Sequence, residues 1–127
     1  MAGGLYAGGM KWNWTDGPLA VGLACYRAGE FFESHEHWEL VWLELREPEK
    51  SFLQALIQVS AGFHHYRRGN VVGAVSLMQR ALRRLERCDA CFAGIAVERL
   101  REGVCGWLRG LEVGEVPEHV PEIGLED

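Results

Sequence analysis

Apolar residues recur every three or four positions along this chain, and glycine or proline interrupts the pattern at intervals. That periodicity most constrains the fold, because it is the mark of helices with one buried face. Five such stretches are legible. The first opens at Pro18, behind Asp16 or Gly17 as cap, carries Leu19, Leu23 and Tyr26, and stops at Gly29. The second runs from about Glu30 to Leu45, where Pro48 forbids its continuation. The third runs from about Glu49 to Arg68 and closes on Gly69. Asn70 caps the fourth, whose stripe is Val71, Ala74, Val75, Met78, Leu82 and Leu85. A loop around Cys88 to Gly94 leads to the fifth, with Val97, Leu100, Val104, Leu108 and Leu111. Strand-like alternation is absent. The expected fold is an all-α, compact bundle of about five helices, with short links that make consecutive helices antiparallel neighbours.

A chain of 127 residues fits one domain with a real core. The expected division is a flexible segment over 1–15, the bundle over 16–111, and an acidic, proline-containing tail over 112–127 that is either packed or disordered. Trp12 and Trp14 are expected to dock on the bundle. No apolar run approaches the roughly 20 residues that cross a bilayer, and the glycine-rich start has no signal-peptide pattern, so a cytoplasmic protein without a membrane partner is expected. The net charge of −5 argues against nucleic acid as a partner. A homodimer is compatible with a short bundle rich in Trp. The bases Arg67, Arg68, Arg80, Arg83, Arg84 and Arg87 cluster, which reads as a solvated helix face near a helix C-terminus, or as an anion-binding surface. Cys88 and Cys91 form a lone CxxC, too little for a structural zinc site. Cys25 and Cys105 read as buried free thiols.

The chemistry-bearing residues are on helices two and three. At about 100° per residue, His35 and Glu39 lie about 40° apart on one face of helix two. Counting Phe31, Trp38, Trp42 and Leu45 on one side and Phe32 and Leu43 on the other, the pair is expected near the centre of the buried arc, with Glu36 at its far edge. On helix three, Gln54, Gln58 and His65 fall within about 40° of one another, bordered by Ala55, Ala61 and Gly62. Counting from the turn at Pro48 places His35, Glu39, Gln58 and His65 at levels where they can converge. Two imidazoles and a carboxylate are a ligand set for zinc, iron or manganese that leaves positions open for water. The other readings are a satisfied polar network that fixes helix register and a dry ligand pocket. His64 reads as core or half-buried, and His37 as surface. The HExxH signature is missing, since Glu39 stands where its second His would be. Phosphate-binding glycine loops and the nucleophile elbow are absent too.

The same residues carry a family resemblance. Phe32-Glu33-Ser34-His35-Glu36-His37-Trp38-Glu39 with Trp42, then Phe52-Leu53-Gln54-Ala55-Leu56-Ile57-Gln58, then His65 through Arg68-Gly69-Asn70 with Gly73-Ala74, resemble in order the motifs of the domain of unknown function 309 family. Ala55 stands where that family usually has Gly. The resemblance implies a compact all-helical fold and the label of a predicted metal-dependent hydrolase. Carried over, it implies a site of His35, Glu36, Glu39, Gln54, Gln58, His65 and Asn70. The expected roles are a divalent metal on His35, Glu39 and His65, Glu36 as general base, and Gln54 and Gln58 on a small-molecule substrate of unknown class. The alternative is a non-enzymatic interaction module in which the His/Glu/Gln cluster is structural and the arginine face or exposed aromatics bind a partner.

Overall fold

The computed structural model describes residues 6–7 and 10–126, with side-chain surroundings from Trp12 onward. Its order is β1 (Tyr6–Ala7), β2 (Met10–Lys11), α1 (Pro18–Arg27), α2 (Phe31–Trp42), α3 (Glu49–Arg67), α4 (Val71–Leu85), β3 (Cys91–Phe92), β4 (Ile95–Ala96) and α5 (Val97–Val113). Five helices packed on one another make it an all-α fold. Helices that follow one another pack together: α1 with α2, α2 with α3, α3 with α4 and α4 with α5. Several helix ends have a local cause. Gly17 at φ 85° precedes Pro18, and Gly29, Gly69 and Gly114 take φ near 81° where α1, α3 and α5 stop. The Asn70 side chain accepts the amide of Gly73 at 3.0 Å and caps α4.

Helix α2 is shorter than its apolar pattern suggests. After Trp42 the chain tightens, Glu44 N–H donating to Val41 O and Leu45 N–H to Trp42 O, so Leu45 reaches the core from a turn. A second difference lies in the loop after α4. Ala93 and Gly94, both at positive φ, make the two-residue turn of a hairpin, and the Trp14 indole holds the Ala93 carbonyl at 2.7 Å. Strands of two residues are too short to show alternation. Trp12 and Trp14 dock as expected, Trp12 standing edge-on to Phe52.

The centre of the protein is α3, which buries Phe52, Leu53, Leu56, Val59 and Phe63 completely or nearly so. Trp107 of α5 meets Phe63 and Tyr66 edge-to-face. The expectation for residues 1–15 falls mostly outside the described side chains. The tail is packed. Tyr26 donates its hydroxyl to the Pro121 carbonyl at 2.6 Å, Arg27 reaches Ile123 O, and Trp107 Nε1 donates to His119 O. Burial pushes the Tyr26 phenol far above its ordinary range, so the hydroxyl stays a donor. Ile123 is fully buried, and Leu125 bridges to Ile95. Among the described residues no helix is long and apolar enough to cross a membrane.

The α1–α2 contact turns on Gly22. Trp38 is fully buried, and its indole N–H donates to Leu19 O at 3.1 Å, so the ring cannot swing away without losing that bond. A Cβ on Gly22 would strike the ring. Ala normally gains about 0.5–1 kcal/mol over Gly inside a helix, whereas overpacking a rigid core costs about 1–3 kcal/mol. Gly22→Ala is therefore expected to be net destabilising, read as a lower urea midpoint at unchanged m-value.

Candidate functional site

The buried face of α2 is not the one the apolar count suggested. Phe31, Ser34 and Trp38 are buried, and Ser60 Oγ of α3 donates to the Phe31 carbonyl at 3.0 Å. Taking Phe31 as zero on a wheel of about 100° per residue, the buried arc centres near Trp38, at about −20°. His35 then sits on one flank at about 40° and Glu39 beyond it at about 80°. Their exposure follows: 27% for the His35 side chain and 51% for Glu39. This corrects the expectation of a central, buried pair. The physical reason is the pair of contacts that fix the helix: Trp38 seated on Gly22 of α1 and the Phe31 carbonyl held by Ser60 of α3 turn that arc inward. Phe32 and Leu43, counted as core, are 45% and 65% exposed.

His35 Nε2 lies 3.4 Å from Glu39 Oε2, one turn away. The Phe32 ring then links α2 to α3, lying 6.0 Å from the His35 ring and 5.4 Å from the His64 ring between centroids. His64 in turn stands 5.9 Å from His65. His64, expected to be core or half-buried, is half-buried and joins the two halves of the cluster. Burial pushes its pKa below the ordinary 6.5; Arg68 adds to this, as do His65 and, more weakly, His35, while Glu33 opposes.

His65 is held elsewhere. Asn70 Oδ1 accepts the Gly73 amide, which fixes the side-chain amide and turns Nδ2 toward His65 Nδ1 at 3.0 Å. Nδ2 can only donate, so Nδ1 is the acceptor and the neutral ring carries its proton on Nε2. A neutral imidazole has one free lone pair, and in this arrangement Asn70 uses it. Asn70, expected chiefly as a helix cap, thus also sets the tautomer of His65. Gln58 is buried with its Oε1 unpartnered among the described residues, and Gln54 is half-buried on the same helix. Glu36 is exposed on the outer side of α2. Among the described residues no three His, Cys, Asp or Glu side chains form a group that could hold a metal ion. His35 thus pairs with Glu39 and His65 with Asn70, and His65 would have to give up Asn70 before it could share a metal with the other two.

Glu49 drew attention only as the start of α3. It is 2% exposed, with neither carboxylate oxygen partnered among the described residues. An acid in a helix's first turn is ordinary in sequence, so nothing there marked its burial. The cysteines are free. Cys25, Cys88 and Cys105 are partly exposed and Cys91 is exposed, so Cys25 and Cys105 are not the buried thiols expected.

The fold and these contacts define a small helical bundle with an imidazole–carboxylate cluster on the α2–α3 face. Residues 19–77 match the model of the family described as Domain of unknown function (DUF309), so the resemblance in the motifs is shown. An uncharacterized protein of Aquifex aeolicus (strain VF5) is 29% identical over 94 residues, which is 73% of this chain. The aligned part is 28% of that relative's length. Neither description names an activity.

Two outcomes follow. Asn70→Ala removes a cap and the partner of His65, and should cost about 1–2 kcal/mol in chemical denaturation. Because the folded pKa of His64 lies below its unfolded value, the unfolded state binds more protons. Stability should thus be fully kept above pH 6.5 and fall as pH drops through that value toward the lower folded pKa. His64→Gln should flatten that part of a melting-temperature profile.

Proposed function

We propose that this chain is an interaction module that receives a basic amphipathic helix on the outer face of α2. The observation that carries this reading is the composition of that face. Phe32, Leu40 and Leu43 are 45%, 62% and 65% exposed. They fall on one side of α2, between about 100° and 180° on the same wheel. Glu33, Glu36, Glu39 and Glu44, all exposed, interleave with them. Apolar anchors among four carboxylates suit a partner helix with Leu or Phe at i, i+3 and i+4 and Lys or Arg between. A second copy of this chain suits it less, since a two-fold contact would set the same glutamates against one another. The relative's length also supports a module, because the shared segment is a minor part of that protein.

The reading is tested with a synthetic amphipathic Leu/Lys helix, titrated by calorimetry. Leu40→Glu/Leu43→Glu should weaken binding at least about tenfold, the loss of roughly 1.4 kcal/mol or more expected when central anchors go. A Leu/Glu peptide should not bind. Equal binding by wild type and variant would overturn the reading.

A second reading, a metal-dependent hydrolase, has one observation in its favour: the buried, unpartnered Gln58 Oε1 on the helix that carries His65. In it His35, Glu39 and His65 would hold zinc, iron or manganese, Glu36 would be the base, and Gln54 and Gln58 would meet substrate. It requires His65 to release Asn70. Elemental analysis of protein purified without chelators, beside His35→Ala/His65→Ala, decides it. About one metal per chain in the wild type alone would establish this reading. No metal, with no binding of added ions, would remove it.

A further inference from the structure

Arg80, Arg83, Arg84 and Arg87 share one stripe of α4 and the turn after it, at spacings of three and four. Such a stripe is ordinarily a solvated face serving the negative end of a helix. Three observations speak against that use here. First, the four arginines alone wall a recess of about 300 Å³. Second, the carbonyls at the end of α4 are already served by another residue: Arg101 of α5 donates to Leu85 O at 2.7 Å and to Cys88 O at 3.2 Å. Third, none of the four is in an ion pair among the described residues, where the pairs are His35–Glu39 and Glu98–Arg101. Even Glu86, three residues after Arg83, makes none. The hydrogen bond seen for the group is Arg84 Nη1 to the neutral Ser51 Oγ at 3.2 Å, which fixes that guanidinium at the rim. Glu47 and Asp89 lie on the far side of Arg84 and Arg87, yet among the described residues neither closes an ion pair with them.

We propose that this recess is a binding site for a polyphosphate anion, either inorganic or the phosphate end of a nucleotide. Guanidinium groups present paired N–H donors that match phosphate oxygens two at a time, and like charges one turn apart repel until an anion bridges them. The recess is open on its solvent side, so the converging guanidinium donors rather than enclosure would hold the anion. Beside it, a second recess of about 310 Å³ shares Arg84 and Arg87 and offers Pro48 and Phe92 as its apolar wall, with the buried Phe52 behind them. Glu47 and Asp89 also line that second recess, so the phosphates belong in the first and an apolar ring in the second.

The test is calorimetric titration and thermal unfolding of the full chain with inorganic pyrophosphate and with ADP, beside Arg83→Gln/Arg87→Gln. Both arginines are exposed, so the variant should fold, and its unliganded melting temperature checks this. Bound anion should raise the wild-type melting temperature. The variant should bind at least about tenfold more weakly. Tighter binding of ADP assigns the site to a nucleotide; equal or tighter binding of pyrophosphate assigns it to the inorganic anion. No rise with either anion, an equal rise in the variant, or tighter binding of a short RNA than of both would overturn the proposal.

Discussion

The bundle depends on one flat ring laid on one missing side chain. Trp38 fills the space above Gly22, and its N–H closes on the Leu19 carbonyl, so α1 and α2 meet along a contact with little freedom to slide. Everything on α2 inherits its angle from there. With Trp38 pointing inward and Ser34 buried beside it, the next flank, carrying His35 and Glu39, is set at the edge of the core. Close packing passes the choice on: a ring that cannot move fixes the helix that bears it.

Much of this was legible in the sequence, because helix signals are local. Pro18, Gly29, Gly69 and Asn70 each punctuate the chain through backbone geometry or a single side-chain bond, and each does so where the pattern placed it. The rotation of α2 was not legible. Its apolar residues cover nearly the whole circumference, from Val41 and Trp38 through Phe32 to Leu40, so a wheel offers two arcs of similar hydrophobicity. Only the partner helix selects one, and it selects the arc with the small residue. The hairpin at Ala93-Gly94 escaped for a different reason: its strands are shorter than the period that would reveal them.

The candidate site divides in the same way. The rings of His35, Phe32, His64 and His65 follow one another from α2 to α3, while Glu36 is exposed on the outer side of α2. What spacing could not show is how the lone pairs are spent. His65 is close in sequence to Asn70, and that bond, made possible by the reversal at Gly69, takes the nitrogen that a long-range partner would need. Residue types state which donors exist; the hydrogen-bond partners state which remain available.

The tail crosses from α5 back to α1 and is gripped through main-chain carbonyls, those of His119, Pro121 and Ile123. A peptide carbonyl is the same whatever side chain it belongs to. The exposed letters between Gly114 and Pro121 are thus free to drift, and the acids found there carry little of the attachment. Their number is not free. Losing a single residue between Gly114 and His119 would put all three carbonyls out of step with the Trp107 indole, the Tyr26 hydroxyl and the Arg27 guanidinium at once. In this stretch the chain is measured by length, and insertions or deletions are the changes it can least absorb.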